Sequence, residues 1–186
     1  MENWAVFANL DYYLTEALKL KVGARYTDAE FENSSCNADV GDGANAALFN
    51  FLGNIFSGPG TFEPVGTGDC FSLNYQGQPG DQWIETLSED NVSWRVGLDY
   101  HYSDTGLLYG NISQGYKQGS FPTLTAATWR AFEPVTQESV LAYESGIKET
   151  LMNGRLSFSA AAFYYEYEDK QIKGNISDPV FGILEA

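Results

Sequence analysis

The sequence is short of positive charge: ten lysines and arginines face 25 aspartates and glutamates across 186 residues, with a single histidine and only two cysteines. A formal charge of −15 repels phosphate backbones and excludes a nucleic-acid surface. Long apolar runs are missing too. The longest, Ala160 to Tyr165, falls far short of the roughly 20 residues a membrane-crossing helix needs. Met1 precedes Glu2, Asn3 and Trp4 rather than a basic segment and an apolar core, so no secretory signal is expected here, and an exported chain would have its beginning elsewhere. No nucleophile elbow, metal triad or phosphate loop occurs, and the sole histidine, His101, has no partner at catalytic spacing. Neither an enzyme nor a bound cofactor or metal is expected. What is present, 44% hydrophobic and 15% aromatic residues, excludes disorder.

Cys36 and Cys70 lie in one Gly-, Asn- and Asp-rich stretch with the composition of a long loop. With no CxxC and no nearby His, a loop disulfide is the expectation, with two free thiols as the alternative. Closing such a loop would contribute about 3 to 4 kcal/mol in the chain-entropy model and implies an oxidising compartment.

Alternation is the dominant pattern. Leu18, Leu20, Val22, Ala24 and Tyr26 alternate with Lys19, Lys21, Gly23, Arg25 and Thr27, and Val92, Trp94, Val96, Leu98, Tyr100 and Tyr102 alternate with polar residues and Gly97 up to Ser103. Period two predicts strands. Four more follow: Trp4 to Tyr12, Leu108 to Lys117, Leu141 to Lys148, and Leu156 to Tyr164, where an aromatic cluster leaves the face assignment open. Short polar turns at Thr15 to Ala17, Ser103 to Gly106 and Met152 to Gly154 join them into three hairpins. Between hairpins the connections are long, from about Asn33 to Asp90 and from about Ser120 to Gln137.

Both a membrane barrel and a soluble sandwich set an apolar face against a polar one. The runs last about ten residues, near the 9 to 11 of a tilted transmembrane strand. With the short turns on the periplasmic side, Tyr12, Tyr100 and Tyr102 fall at the inner interface, and Trp4, Tyr26, Trp94, Tyr116 and Tyr164 at the outer one. Two aromatic girdles, strand length and loop asymmetry favour the barrel: an all-β, antiparallel up-and-down meander, a partial transmembrane barrel of about six strands with two long extracellular loops.

The stretches LLYGNISQGYKQGSF (Leu107 to Phe121), PVTQESVLAYESGIK (Pro134 to Lys148) and GRLSFSAAAFYYEYEDKQ (Gly154 to Gln171) resemble the barrel of TonB-dependent outer-membrane receptors. WAVFANLDYYLTEALKLKVGARYTD resembles an earlier hairpin of the same family. The resemblance implies a barrel of about 22 strands filled by an N-terminal plug. It also implies import of a scarce ligand, such as a ferric siderophore, cobalamin or a glycan, with energy delivered by TonB. On that reading residues 1–186 are part of one barrel domain in the outer membrane of a Gram-negative bacterium. The plug, the TonB-contacting box and the remaining strands lie outside it. The implied partners are outer-membrane lipid, the TonB complex through the missing N-terminal region, and a small-molecule ligand such as a ferric siderophore.

From Asp28 to Asn91 there are acidic residues but no Lys or Arg, which reads as a solvated loop before it reads as a cation-attracting one. Asn37, Asp39, Gly41, Asp42 and Gly43 superficially suggest calcium but fail the EF-hand pattern. Ala44, Ala47, Leu48, Phe51 and Ile55 recur at helical spacing, predicting a short amphipathic helix that packs against the disulfide through this face. On the polar strand face Lys19, Lys21, Arg25, Arg95, Lys117 and Lys148, with Asp99 and Glu144, are expected to line a lumen, by ligand contact or by structural ion pairing. Two other functional classes compete with the importer: a non-transport outer-membrane barrel or adhesin, and a soluble carbohydrate-binding β-sandwich.

Overall fold

A computed structural model describes residues 1–122, 127–172, 175–178 and 182–185, the last two stretches as backbone. Its main sheet has six strands in sequence order: β1 (Glu2–Tyr13), β2 (Leu18–Ser35), β3 (Trp83–His101), β4 (Gly106–Lys117), β5 (Glu138–Leu151) and β6 (Leu156–Glu168). The chain also forms α1 (Ala44–Ser57), a single 3-10 turn at Trp129–Ala131, and a separate two-stranded sheet of β7 (Asn175–Asp178) and β8 (Gly182–Glu185), which alternation did not anticipate. By contacts it divides into two units. One comprises Met1–Glu30, Ser88–Gln118 and Thr136–Lys170, and the other Phe31–Leu87, Gly119–Val135 and Gln171–Ala186.

The first unit is the meander. Leu10 pairs with Val22, Val96 with Ile112, Ile112 with Tyr143, and Ile147 with Ala160, all antiparallel, so apolar residues meet apolar residues on every one of these ladders. The Lys21 ammonium bonds Asp99 across the β2–β3 step, which puts both on one face. Leu20, Val22 and Ala24 therefore share the opposite face with Trp94, Val96 and Leu98. That face is open: Val22, Val96, Leu98, Tyr100, Leu108 and Ile112 are all exposed. A soluble sheet would bury it.

Turn chemistry explains the hairpins. Thr15 Oγ1 accepts the Leu18 N–H at 3.0 Å, folding β1 back onto β2. Between β5 and β6, Met152, Asn153 and Gly154 take φ of 53°, 54° and 85°, the left-handed conformation that Asn and Gly adopt at least cost. In the β6 cluster, register settles the faces: Tyr164 pairs with Tyr143 on the apolar side, while Phe163, Tyr165 and Tyr167 fall on the polar side.

Strands β2 and β3 run beyond the lengths their apolar alternation marks, because the alternation changes sides. Past Tyr26 the apolar face of β2 turns acidic at Asp28 and Glu30, while Ala29 on the other face is buried. In β3, Trp83 and Leu87 are buried on the side that carries Arg95 lower down.

The second unit has a core of Ala46, Phe49, Phe62, Val65 and Leu73, flanked by Phe71. The predicted helix is present, but its expected inner face is wrong. Leu48, Phe51 and Ile55 are exposed, and Ala46, Phe49 and Gly53 are buried. The helix is apolar on two sides, so spacing alone could not choose; long-range partners did. Phe49 packs on Phe62 and Phe71, with ring centroids 5.7 and 5.1 Å away. Phe62 lies so close over Gly53 that a Cβ there would meet its ring at 2.4 Å. Cys36 and Cys70 form a disulfide with Cα atoms 5.3 Å apart, beside a bridge between Ala38 and Cys70.

Candidate functional site

The polar face of the meander gathers the charged residues singled out above. Antiparallel register puts Lys19, Lys21 and Arg25 of β2, Arg95 and Asp99 of β3, Lys117 of β4, and Glu144 and Lys148 of β5 on one side of the sheet. They do not form one cluster. Near the Thr15 turn, Asp99 pairs with Lys21 and lies 4.0 Å from Lys19, which also reaches Asp11 at 3.4 Å. Asp99 is 8% exposed, a depth at which two ammonium partners offset its desolvation. At the other end Lys117 sits 3.8 Å from Glu138, its register partner, and Arg25 Nε donates to Thr27 Oγ1 at 3.1 Å.

Between these ends lies a group that charge patterning alone did not reveal. Tyr109 faces the polar side of β4 directly opposite Gly146, and a Cβ on Gly146 would meet its ring at 2.6 Å. The missing side chain lets the ring lie flat along the sheet. Its hydroxyl donates to Glu144 at 2.8 Å, and Lys148 Nζ sits 5.3 Å from the ring centroid, a cation–π contact. Only the parity of Tyr109 marked it, since an aromatic on a polar face reads as an exception to alternation.

Phe163 and Tyr165 of β6 also lie on this face, stacked with centroids 4.9 Å apart, followed by Tyr167 beneath Lys170 Nζ at 4.8 Å. The apolar face carries the aromatic bands. Trp4 lies 5.2 Å from Tyr26, Tyr143 lies 6.3 Å from Tyr164, and Trp94 Nε1 donates to Gln114 at 3.0 Å. A shallow hollow among Val96, Leu98, Ile112 and Tyr143 on this face is a gap between exposed and mostly apolar side chains.

In the second unit Asp39 is 2% exposed and accepts the backbone N–H groups of Gly41 at 2.9 Å, Asn45 at 2.9 Å and Ala46 at 3.2 Å. The Gly41 and Ala46 bonds outweigh burial and hold its carboxyl below the usual carboxylate range. This is the role of the residue that superficially suggested calcium: it satisfies the first turn of α1. Among the described residues no three His, Cys, Asp or Glu side chains are placed to hold a metal ion. A cleft of about 640 Å³ in this unit is lined by Phe31, Glu32, Asn33, Ser34, Ser120 and Phe132, aromatic and hydrogen-bonding groups together.

The sequence model of the family described as TonB dependent receptor-like, beta-barrel matches residues 1–183. Two solved structures share the fold. The ferric yersiniabactin uptake receptor FyuA from Yersinia pestis aligns with a TM-score of 0.63 at 17% identity, over 91% of this chain and 21% of that one. The ferric-catecholate import receptor Fiu from E. coli K12, in its open form, aligns with a TM-score of 0.55 at 20% identity, over 90% and 20%. The chain thus spans about a fifth of the length of the receptors it matches.

Proposed function

The chain belongs to the TonB dependent receptor-like β-barrel family, and from that premise we propose that it forms part of the wall of a receptor that imports a ferric siderophore with energy delivered through TonB. Members of the family reside in the Gram-negative outer membrane, and they are transporters rather than enzymes. The observation that carries the reading is the register: one face predominantly apolar along the middle of the strands and banded with aromatics, the other holding Lys19, Lys21, Arg25, Arg95, Asp99, Lys117, Glu144 and Lys148. A wall of this kind meets lipid on the first face and a hydrated lumen on the second. The paired ions among those residues help make the lumen surface wettable at hydrocarbon depth. The second unit carries a cleft of aromatic and polar groups that suits contact with a ferric siderophore.

The test is uptake by cells whose only siderophore receptor is the intact parent protein. Iron-55 accumulation from a panel of ferric siderophores, lost when TonB is deleted, is expected. Accumulation that is absent for every siderophore, or independent of TonB, overturns the reading and favours a passive barrel or an adhesin.

A further inference from the structure

Arg95 is one of the cations on the polar face without a carboxylate partner among the described residues. Lys21 is held by Asp99 and Lys117 by Glu138, whereas among the described residues no carboxylate pairs with Arg95 or Lys148. Both line one small cavity of about 130 Å³, together with Lys21, Asp99, Tyr109 and Asn111. Three cations and one carboxylate border it, an excess of positive charge in a chain whose net charge is −15. Glu144 is absent from this lining, and although its carboxylate accepts the Tyr109 hydroxyl beside the cavity, three cations against two carboxylates still leave positive charge in excess.

The cavity exists because of a missing side chain. Gly97 stands on the polar face between Arg95 and Asp99, and a Cβ there would come within 3.2 Å of Asn111 Cβ. Such a space exceeds the roughly 10–15 Å³ that a water needs. Its depth matters as well. Gly97 lies between Val96 and Leu98, in the middle of the apolar span from Trp94 to Tyr102, where unpaired charge is costly unless water or a counter-ion reaches it. A guanidinium fork, an ammonium and a carboxamide around one hole are complementary to a planar or tetrahedral oxyanion.

We propose that this niche is an oxyanion-binding site on the lumen wall, taking a carboxylate-, sulfate- or phosphate-class group through Arg95 and Lys148. The proposal rests on the barrel reading for the location of the polar face but not on the identity of the transported ligand. The oxyanion has two possible sources, a free ion of the lumen or an acidic side chain of the protein that fills the barrel.

Crystals of the intact parent receptor soaked in selenate separate them. For a free ion, an anomalous selenium peak is expected beside Arg95 in the wild type and absent in Arg95→Gln. Melting of the wild type in detergent should then rise in sulfate over chloride of equal ionic strength, and that of Arg95→Gln should not. For a resident carboxylate, no selenium peak appears, and a Glu or Asp oxygen lies within hydrogen-bond distance of Arg95. Arg95→Glu then lowers the melting temperature, and Arg95→Lys restores part of it. If Arg95→Gln does not assemble, Lys148→Gln replaces it. Selenium density that survives both variants marks an adventitious ion, and that result, or a niche holding only water, overturns the proposal. Failure of siderophore uptake leaves these readouts untouched, so the two readings fail separately.

Discussion

The Asp39 carboxylate accepts the N–H of Asn45 at 2.9 Å, binding the start of α1 to a residue six positions upstream and outside the helix. Gly43, at the helix N-cap, has φ of 87° and no side chain to cap with, so the capping oxygen has to come from elsewhere. Substituting Asp39→Ala should raise hydrogen exchange at the amides of Gly41, Asn45 and Ala46 and expose residues 40–57 to protease, while barrel amides are unchanged. Because its pKa is depressed on folding, Asp39 contributes fully above the ordinary carboxylate range. The contribution is lost as pH falls through its lower folded value. Protection of those amides should therefore collapse on acidification in the wild type, and an unchanged profile would show that the carboxylate does not hold the turn.

Phe49 and Phe51 are two residues apart with opposite environments, 8% and 63% exposed. Phe49→Ala should destabilise the loop unit by about 3–5 kcal/mol, the usual cost for a buried phenylalanine. Phe51→Ala should stay within about 0.5 kcal/mol. Local opening energies from native-state hydrogen exchange in the intact receptor would check both. Equal effects would restore the Leu48, Phe51 and Ile55 face as the buried one.

Val22 and Val96 stand mid-strand on the open apolar face. Arginine at either should cost about 2–4 kcal/mol in a transmembrane barrel and reduce outer-membrane assembly. Ser113→Gln on the polar face serves as the control. Gly23 does not, because a Cβ there would meet Asn9 Oδ1 at 2.4 Å. Spin labels at Val22 and Val96 should be reached by lipid-dissolved oxygen and shielded from a water-soluble quencher. Labels protected from both would mean that protein, not lipid, covers this face.

Cys36 and Cys70 should be recovered as one linked peptide pair by mass spectrometry of exported, non-reduced receptor. Their separation of 34 residues gives a loop-closure contribution of about 3–4 kcal/mol in the chain-entropy model. Cys70→Ser is expected to increase proteolysis between the two positions. Thiols that alkylate without reductant would refute the bond.

Strand identity, hairpin order and the two-faced character of the wall are all legible in the sequence, because period-two alternation and turn chemistry are local. Leu18 through Tyr26 and Val92 through Tyr102 declare their faces without reference to any neighbour. Tertiary structure alone decided which side of α1 is buried, since Leu48 and Phe51 are as apolar as Ala46 and Phe49, and the choice fell to Phe62, Phe71 and Asp39 through distant packing and hydrogen bonds. It also decided where alternation changes sides. Ala29, Leu87 and Trp83 look like a fading strand pattern until burial shows that they have exchanged faces with Asp28 and Glu30. Periodicity fixes which residues share a face; what that face meets is set by segments far away in the chain. The Arg95 niche follows the same logic, for it needs Gly97, Tyr109 and Lys148 from three strands, and only the pairing of those strands brings them around one cavity.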